Sequence, residues 1–119
     1  MPVRSSRSSV LAWPGRNEVD GAVRRWADAQ GRQHPSLRAV GYFGSYARGD
    51  AGVGSDVDIL VIVSDSERPF HERALDWDAT RLPVPADVVV YTAAEWNAMA
   101  AANTGFARRL RDETVWVFR

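Results

Sequence analysis

The spacing of apolar and polar residues changes period several times along this chain, and each change marks an element. From Asn17 to about Gln30, Val19, Ala22, Val23, Trp26 and Ala29 recur at helical spacing, with Asp20, Arg24, Arg25 and Asp28 on the opposite side. This predicts an amphipathic helix, capped at or beside Asn17 and ended by Gly31. His34-Pro35-Ser36 reads as a loop, because a proline pushes the residue before it out of helical geometry. Leu37 to Phe43 and Val57 to Val63 are apolar runs of strand length. Phe70, Ala74, Leu75 and Trp77 predict a second helix from Pro69 to Arg81, with Pro69 in its first turn. Asp87 to Tyr91 is β-branched, follows Pro83 and Pro85, and predicts a third strand. Thr92-Ala93-Ala94-Glu95 has the form of a capping box and starts a helix running to about Asn103. A helical turn at Phe106 to Arg111 and an alternating strand from Thr114 to Phe118 follow. The order predicts an α+β domain with a mixed sheet of about four strands flanked by helices.

Composition narrows what such a domain can do. A length of 119 residues suits one domain with a real core. Residues 1–9, with four serines and two arginines, bury almost nothing and read as a tail, so the domain is expected over residues 10–119; Trp13 beside Pro14 reads as packing. Fifteen basic and 15 acidic residues leave a net charge of zero, which gives no overall electrostatic case for nucleic acid as partner. Every cation is arginine, so lysine nucleophiles and lysine adenylylation are excluded within this sequence. Without cysteine there is neither a disulfide framework nor a thiolate metal site, and two histidines are too few for a usual zinc site. A reducing cytoplasm is the expected compartment. No apolar run is long enough to span a bilayer, so no membrane is expected. The five tryptophans divide between core and interface positions, which leaves room for self-association.

The candidate chemistry lies between residues 41 and 63. Gly44-Ser45 follows an apolar run, and Asp56-Val57-Asp58 opens the next one. Side chains alternate along a strand, so Asp56 and Asp58 share one side while Val57 and Ile59 point into the opposite, buried side. Carboxylates that close repel unless a cation neutralises them, and hard oxygen ligands suit Mg²⁺ or Mn²⁺. A helix that starts just after Gly44 presents backbone N–H groups to an anion, with Ser45 adding its hydroxyl and Arg48 a guanidinium; phosphate is the natural guest. Asp87, at the head of the third strand, is a third carboxylate that converges with the pair if its strand lies beside theirs. Asp76 and Asp78 repeat the Asp-x-Asp spacing inside a predicted helix, where residues two apart diverge. His34 and His71 read as exposed loop or helix residues.

Gly44-Ser45-Tyr46-Ala47-Arg48-Gly49 followed by Ser55-Asp56-Val57-Asp58-Ile59-Leu60-Val61, with Asp87 downstream, resembles the minimal nucleotidyltransferase (MNT) branch of the DNA polymerase beta-type nucleotidyltransferase superfamily, over roughly residues 18–118. The resemblance implies Asp56, Asp58 and Asp87 as catalytic metal ligands for two Mg²⁺ ions. It also implies Gly44, Ser45 and Arg48 as nucleotide-binding residues and ATP as substrate. It further implies a partner, since such domains often accompany a helical HEPN protein as the antitoxin of a toxin–antitoxin pair. The expected activity is transfer of AMP to a hydroxyl on that partner, or, alternatively, neutralisation of the HEPN protein by contact without catalysis.

Overall fold

The computed structural model describes residues 13–119; the expected tail at 1–9 and most of the apolar patch before Trp13 lie outside them. The elements are α1 (Arg16–Gln33), β1 (Leu37–Phe43), α2 (Ser45–Arg48), β2 (Val57–Val63), a 3-10 helix (Phe70–Asp76), β3 (Ala86–Thr92), α3 (Ala93–Ala102), α4 (Gly105–Glu113) and β4 (Val115–Phe118). The four strands form one mixed sheet in the order β3-β2-β1-β4. β1 is antiparallel to both β2 and β4, while β2 and β3 run parallel. The chain has the α+β architecture expected from its pattern.

β2 is the core strand because it is apolar on both sides. Val57, Ile59, Val61 and Val63 alternate onto one face, where they join Val19, Val23, Trp26 and Ala27 of α1, together with Val40, Tyr42, Trp77 and Val84. Leu60 and Ile62 leave the other face, on the same side as Asp58, and are equally buried. α3 packs against β3 and β2 and against α4. Asp58 therefore sits where a doubly covered strand emerges from the interior.

Both expected bounds of α1 need correction. Gly31 does not end α1, which continues to Gln33, with the His34 N–H bonded to the Gln30 carbonyl. Its missing side chain serves packing instead: a Cβ at Gly31 would stand 2.9 Å from two ring carbons of Phe118 on β4. The helix begins one residue earlier than predicted, at Arg16 after Gly15, with no side-chain cap.

The helix expected from Pro69 to Arg81 is only a 3-10 segment ending at Asp76, followed by irregular chain. Helical spacing of apolar residues there does not reflect one buried face, since Leu75 is 77% exposed and Phe70 46%. What docks the segment is a buried guanidinium. Arg73 donates to both carboxylate oxygens of Glu95 and to the backbone carbonyls of Arg68 and Val90. Glu95 also accepts from the Thr92 N–H while Thr92 caps the Glu95 N–H, so the predicted capping box is present and is tied to the 3-10 segment through Arg73. The last helix is longer than the turn expected at Phe106–Arg111, because Thr104 caps it by accepting from the Ala107 N–H.

Candidate active site

The Gly44-Ser45 turn is held from beneath. Gly44 adopts φ 76°, ψ −150°, a region closed to residues with a Cβ, and Gly49 closes α2 in the left-handed conformation at φ 86°. Arg48 N–H bonds the Gly44 carbonyl at 3.0 Å, and the Gly49 and Asp50 N–H groups both bond the Ser45 carbonyl. Tyr46 anchors the turn: its ring is 1% exposed, its hydroxyl donates to the Pro14 carbonyl at 2.9 Å, and it accepts from the Trp13 indole at 3.1 Å. Trp13 meets the domain through this hydrogen bond while remaining 36% exposed, outside the core where packing is expected. Nothing in the local sequence marks Tyr46 as more than an aromatic in a short turn, because its partners lie more than 30 residues away.

The carboxylates come from adjoining strand ends. Asp58 pairs in register with Asp87 on the parallel β3, and with Phe43, the residue before Gly44, on the antiparallel β1. The Val57 N–H bonds the Pro85 carbonyl at 2.9 Å, which sets this register at the first residue of β2. Gly44 must be glycine for a second reason, since a Cβ there would overlap Oδ2 of Asp58. The loop ahead of β2 is closed by the Gly52 N–H on the Ser55 hydroxyl and the Ser55 N–H on the Gly52 carbonyl.

Asp58 is half-buried while Asp56 and Asp87 are exposed. Burial pushes the Asp58 carboxyl above its ordinary value; the charges of Asp87 and then Asp56 push it the same way, and only Arg48 opposes them. The charges of Asp56 and Asp87 are therefore both felt at Asp58, which lies against the Gly44 turn. Their chemistry suits a hard divalent cation: three carboxylates, with a local negative potential that a cation would relieve. The side chains as they stand do not close a coordination shell, and among the described residues no group of three or more His, Cys, Asp or Glu is gathered to hold a metal ion.

Beside this group, Phe43, Gly44, Arg48 and Asp58 line a cavity of about 300 Å³ together with Phe106, Arg109, Leu110 and Glu113 of α4. Arg48 pairs with Asp50 at 3.2 Å and with Glu113 at 3.6 Å, so α4 and α2 are linked across it. The sequence does not single out Phe106, Arg109 or Glu113. The signal that could have found them is their spacing at i, i+3 and i+7, one stripe of a helix. Asp87 borders a second, larger hollow with Trp77, Pro83, Val84 and Pro85, on the β3 side.

The remaining candidates serve structure. Asp76 pairs with Arg68 at 2.7 Å, and Asp78 accepts from both the N–H and the hydroxyl of Thr80. They remain unfit for a shared metal, though the reason is that Asp76, at the end of the 3-10 segment, pairs with Arg68 and Asp78, just beyond it, caps Thr80, rather than divergence on an α-helix. His34 is not a free loop residue: its ring stacks on Trp77 at 3.9 Å. His71 is exposed, as expected.

A four-stranded mixed sheet with a glycine turn and acids at the ends of two parallel strands defines a nucleotidyltransferase. The chain belongs to the nucleotidyltransferase domain family, whose model matches residues 25–117. Among solved structures it is similar to a proposed nucleotidyltransferase from Sulfolobus solfataricus, with 22% identity, a TM-score of 0.61, and coverage of 85% of this chain and 80% of that one. It is also similar to a toxin–antitoxin structure with AMP-PNP, with 21% identity, a TM-score of 0.55, and coverage of 83% and 72%. A third similar structure is the toxin–antitoxin MntA-HpeT carrying two Asp-to-Glu substitutions, with 19% identity, a TM-score of 0.51, and coverage of 88% and 73%. No match is found among the curated proteins. Among the described residues, no helix is long and apolar enough to cross a membrane.

Proposed function

We propose that this nucleotidyltransferase moves AMP from ATP to a hydroxyl group on a partner protein, a helical HEPN-type toxin for which it serves as antitoxin in the cytoplasm. The observation that carries the reading is the level placement of Asp58 and Asp87 on parallel strands, directly beyond the Gly44 turn. The similar structures support the setting, since one is a toxin–antitoxin with AMP-PNP and another is a toxin–antitoxin in which two aspartates, separated by one residue, are replaced.

In this reading Gly44 and Ser45 hold the triphosphate, with Arg48 adding positive charge. Asp56, Asp58 and Asp87 would hold Mg²⁺, two ions in all, which supplies charge neutralisation to the triphosphate and acidity to the attacking hydroxyl. The acceptor oxygen bonds to the α-phosphorus as the bond to the bridging oxygen breaks, pyrophosphate leaves, and the hydroxyl proton passes to Asp87. Asp87 is exposed and borders the hollow on the β3 side rather than the α4 cavity, so an acceptor side chain can reach it.

The test is co-expression with a candidate HEPN partner followed by intact-mass analysis. An AMP adduct on the partner that disappears with Asp58→Asn is the expected result. A stable, unmodified complex with intact Asp58 would replace transfer by inhibition through contact alone.

A further inference from the structure

The α4 cavity is assigned to no role by the transfer chemistry above. Phe106, Arg109, Leu110 and Glu113 form one stripe of α4, while Ala107 and Leu110 bury the helix against the domain. Phe106 is 51% exposed, and its ring borders this pocket rather than the core. Two arginines, Arg48 and Arg109, line the same pocket, which opens onto Asp58 and Gly44. The hollow on the β3 side has Asp87 but no arginine in its lining. The two sides of the carboxylate group therefore differ in one respect: the α4 side sets two arginines and a half-exposed phenyl ring beside Asp58 and Glu113, while the β3 side, lined by Trp77, Asp78 and Asp87, has no arginine.

We propose that α4 forms the nucleoside wall of the donor site, with the Phe106 ring as the platform on which the base stacks and Arg109 as a second cation for the phosphates. This rests on the nucleotidyl-transfer reading and names residues of that same site. A volume of about 300 Å³ lies at the small end of ligand pockets, which suits a nucleoside stacked on one open wall rather than fully enclosed. Aromatic stacking tolerates any base, so the site holds the donor by its ring face and its charge. Arg48 lies in the same lining between Asp50 at 3.2 Å and Glu113 at 3.6 Å, so phosphates held there would exchange with those carboxylates.

Two probes separate the claims: MgAMP-PNP, which has base and phosphates, and magnesium tripolyphosphate, which has phosphates alone. Titration calorimetry on the full chain is expected to show Phe106→Leu weakening AMP-PNP about tenfold while leaving tripolyphosphate unchanged, and Arg109→Gln weakening both. Both side chains are exposed, so thermal melts of the variants should match the wild type. Wild-type affinity of Phe106→Leu for AMP-PNP, or an equal loss for tripolyphosphate, overturns the assignment while nucleotidyl transfer stands. A wild-type protein that binds neither probe overturns the transfer reading itself, and this one with it.

Discussion

Asp58 of β2 and Asp87 of β3 stand at the same register position of a parallel pair. Neighbours in such a ladder project from the same face with backbones about 4.8 Å apart, so the sheet itself holds two like charges together. The cost falls on Asp58, whose carboxyl is raised by burial and by Asp87 and Asp56. A raised native pKa means the folded protein binds this proton more tightly than the unfolded chain. The penalty is therefore absent at pH below the ordinary carboxylate range of about 4 and grows as pH rises through the native value.

Asp58→Asn should accordingly abolish pyrophosphate release yet raise thermal stability at pH 7.5 by a few degrees, with the gain shrinking toward pH 4. Melting curves of both proteins over that range check it. A gain that does not depend on pH would show that repulsion is not its source.

Gly44→Ala should cost about 1–3 kcal/mol from the backbone conformation alone, and more from displacing the Asp58 carboxylate. Denaturant unfolding measures the first effect. With the proposed metal site, added magnesium should stabilise the wild type and not this variant, because a moved Asp58 no longer faces its partners; melts with and without magnesium measure the second effect.

Gly31→Ala tests the packing of α1 on β4. In an open helix this change gains roughly 0.5–1 kcal/mol. Here the new methyl meets the Phe118 ring, and the expected result is a net loss of stability. Pairing it with Phe118→Leu should restore the ordinary gain, a coupling that a double-mutant cycle reads directly.

Glu95→Ala removes the partner of the buried Arg73 and the acceptor for the Thr92 N–H in one step. Glu95 is partly exposed, so the cost should be about 1–3 kcal/mol rather than that of a fully buried pair. Thr92→Ala loses only the cap and should cost about 1 kcal/mol. Equal costs for the two would mean that Arg73 finds compensation elsewhere.

Much of this molecule is legible in its residues where the signal is local. β1 and β2 are continuous apolar runs, and their observed bounds coincide with the expected ones because both lie in the middle of the sheet. The Gly44 turn and the Thr92 box follow from turn chemistry and capping, whereas the adjacency of the strands bearing Asp58 and Asp87, a condition at the level of sequence, is supplied by the sheet order. The misreadings share one cause, a tertiary contact that outweighs a local rule. Gly31 has the look of a helix stop and is a packing notch for Phe118. The segment after Pro69 has helical spacing, yet its position is decided by Arg73, whose burial depends on Glu95, 22 residues later. Tyr46 and the α4 stripe escape notice because their roles exist only after distant segments meet.

The parallel pairing of β2 with β3 has a bearing on how this sequence can vary. The acids Asp58 and Asp87 are matched by the ladder and by the Val57–Pro85 bond, while the residues from Ser64 to Val84, pinned by Arg73, Trp77 and Val84, return the chain to the starting edge without strand or α-helix. Lengthening or shortening that return path can reshape the hollow beside Asp87 without altering the spacing of the acids. The hollow and the acids are thereby free to diverge at different rates.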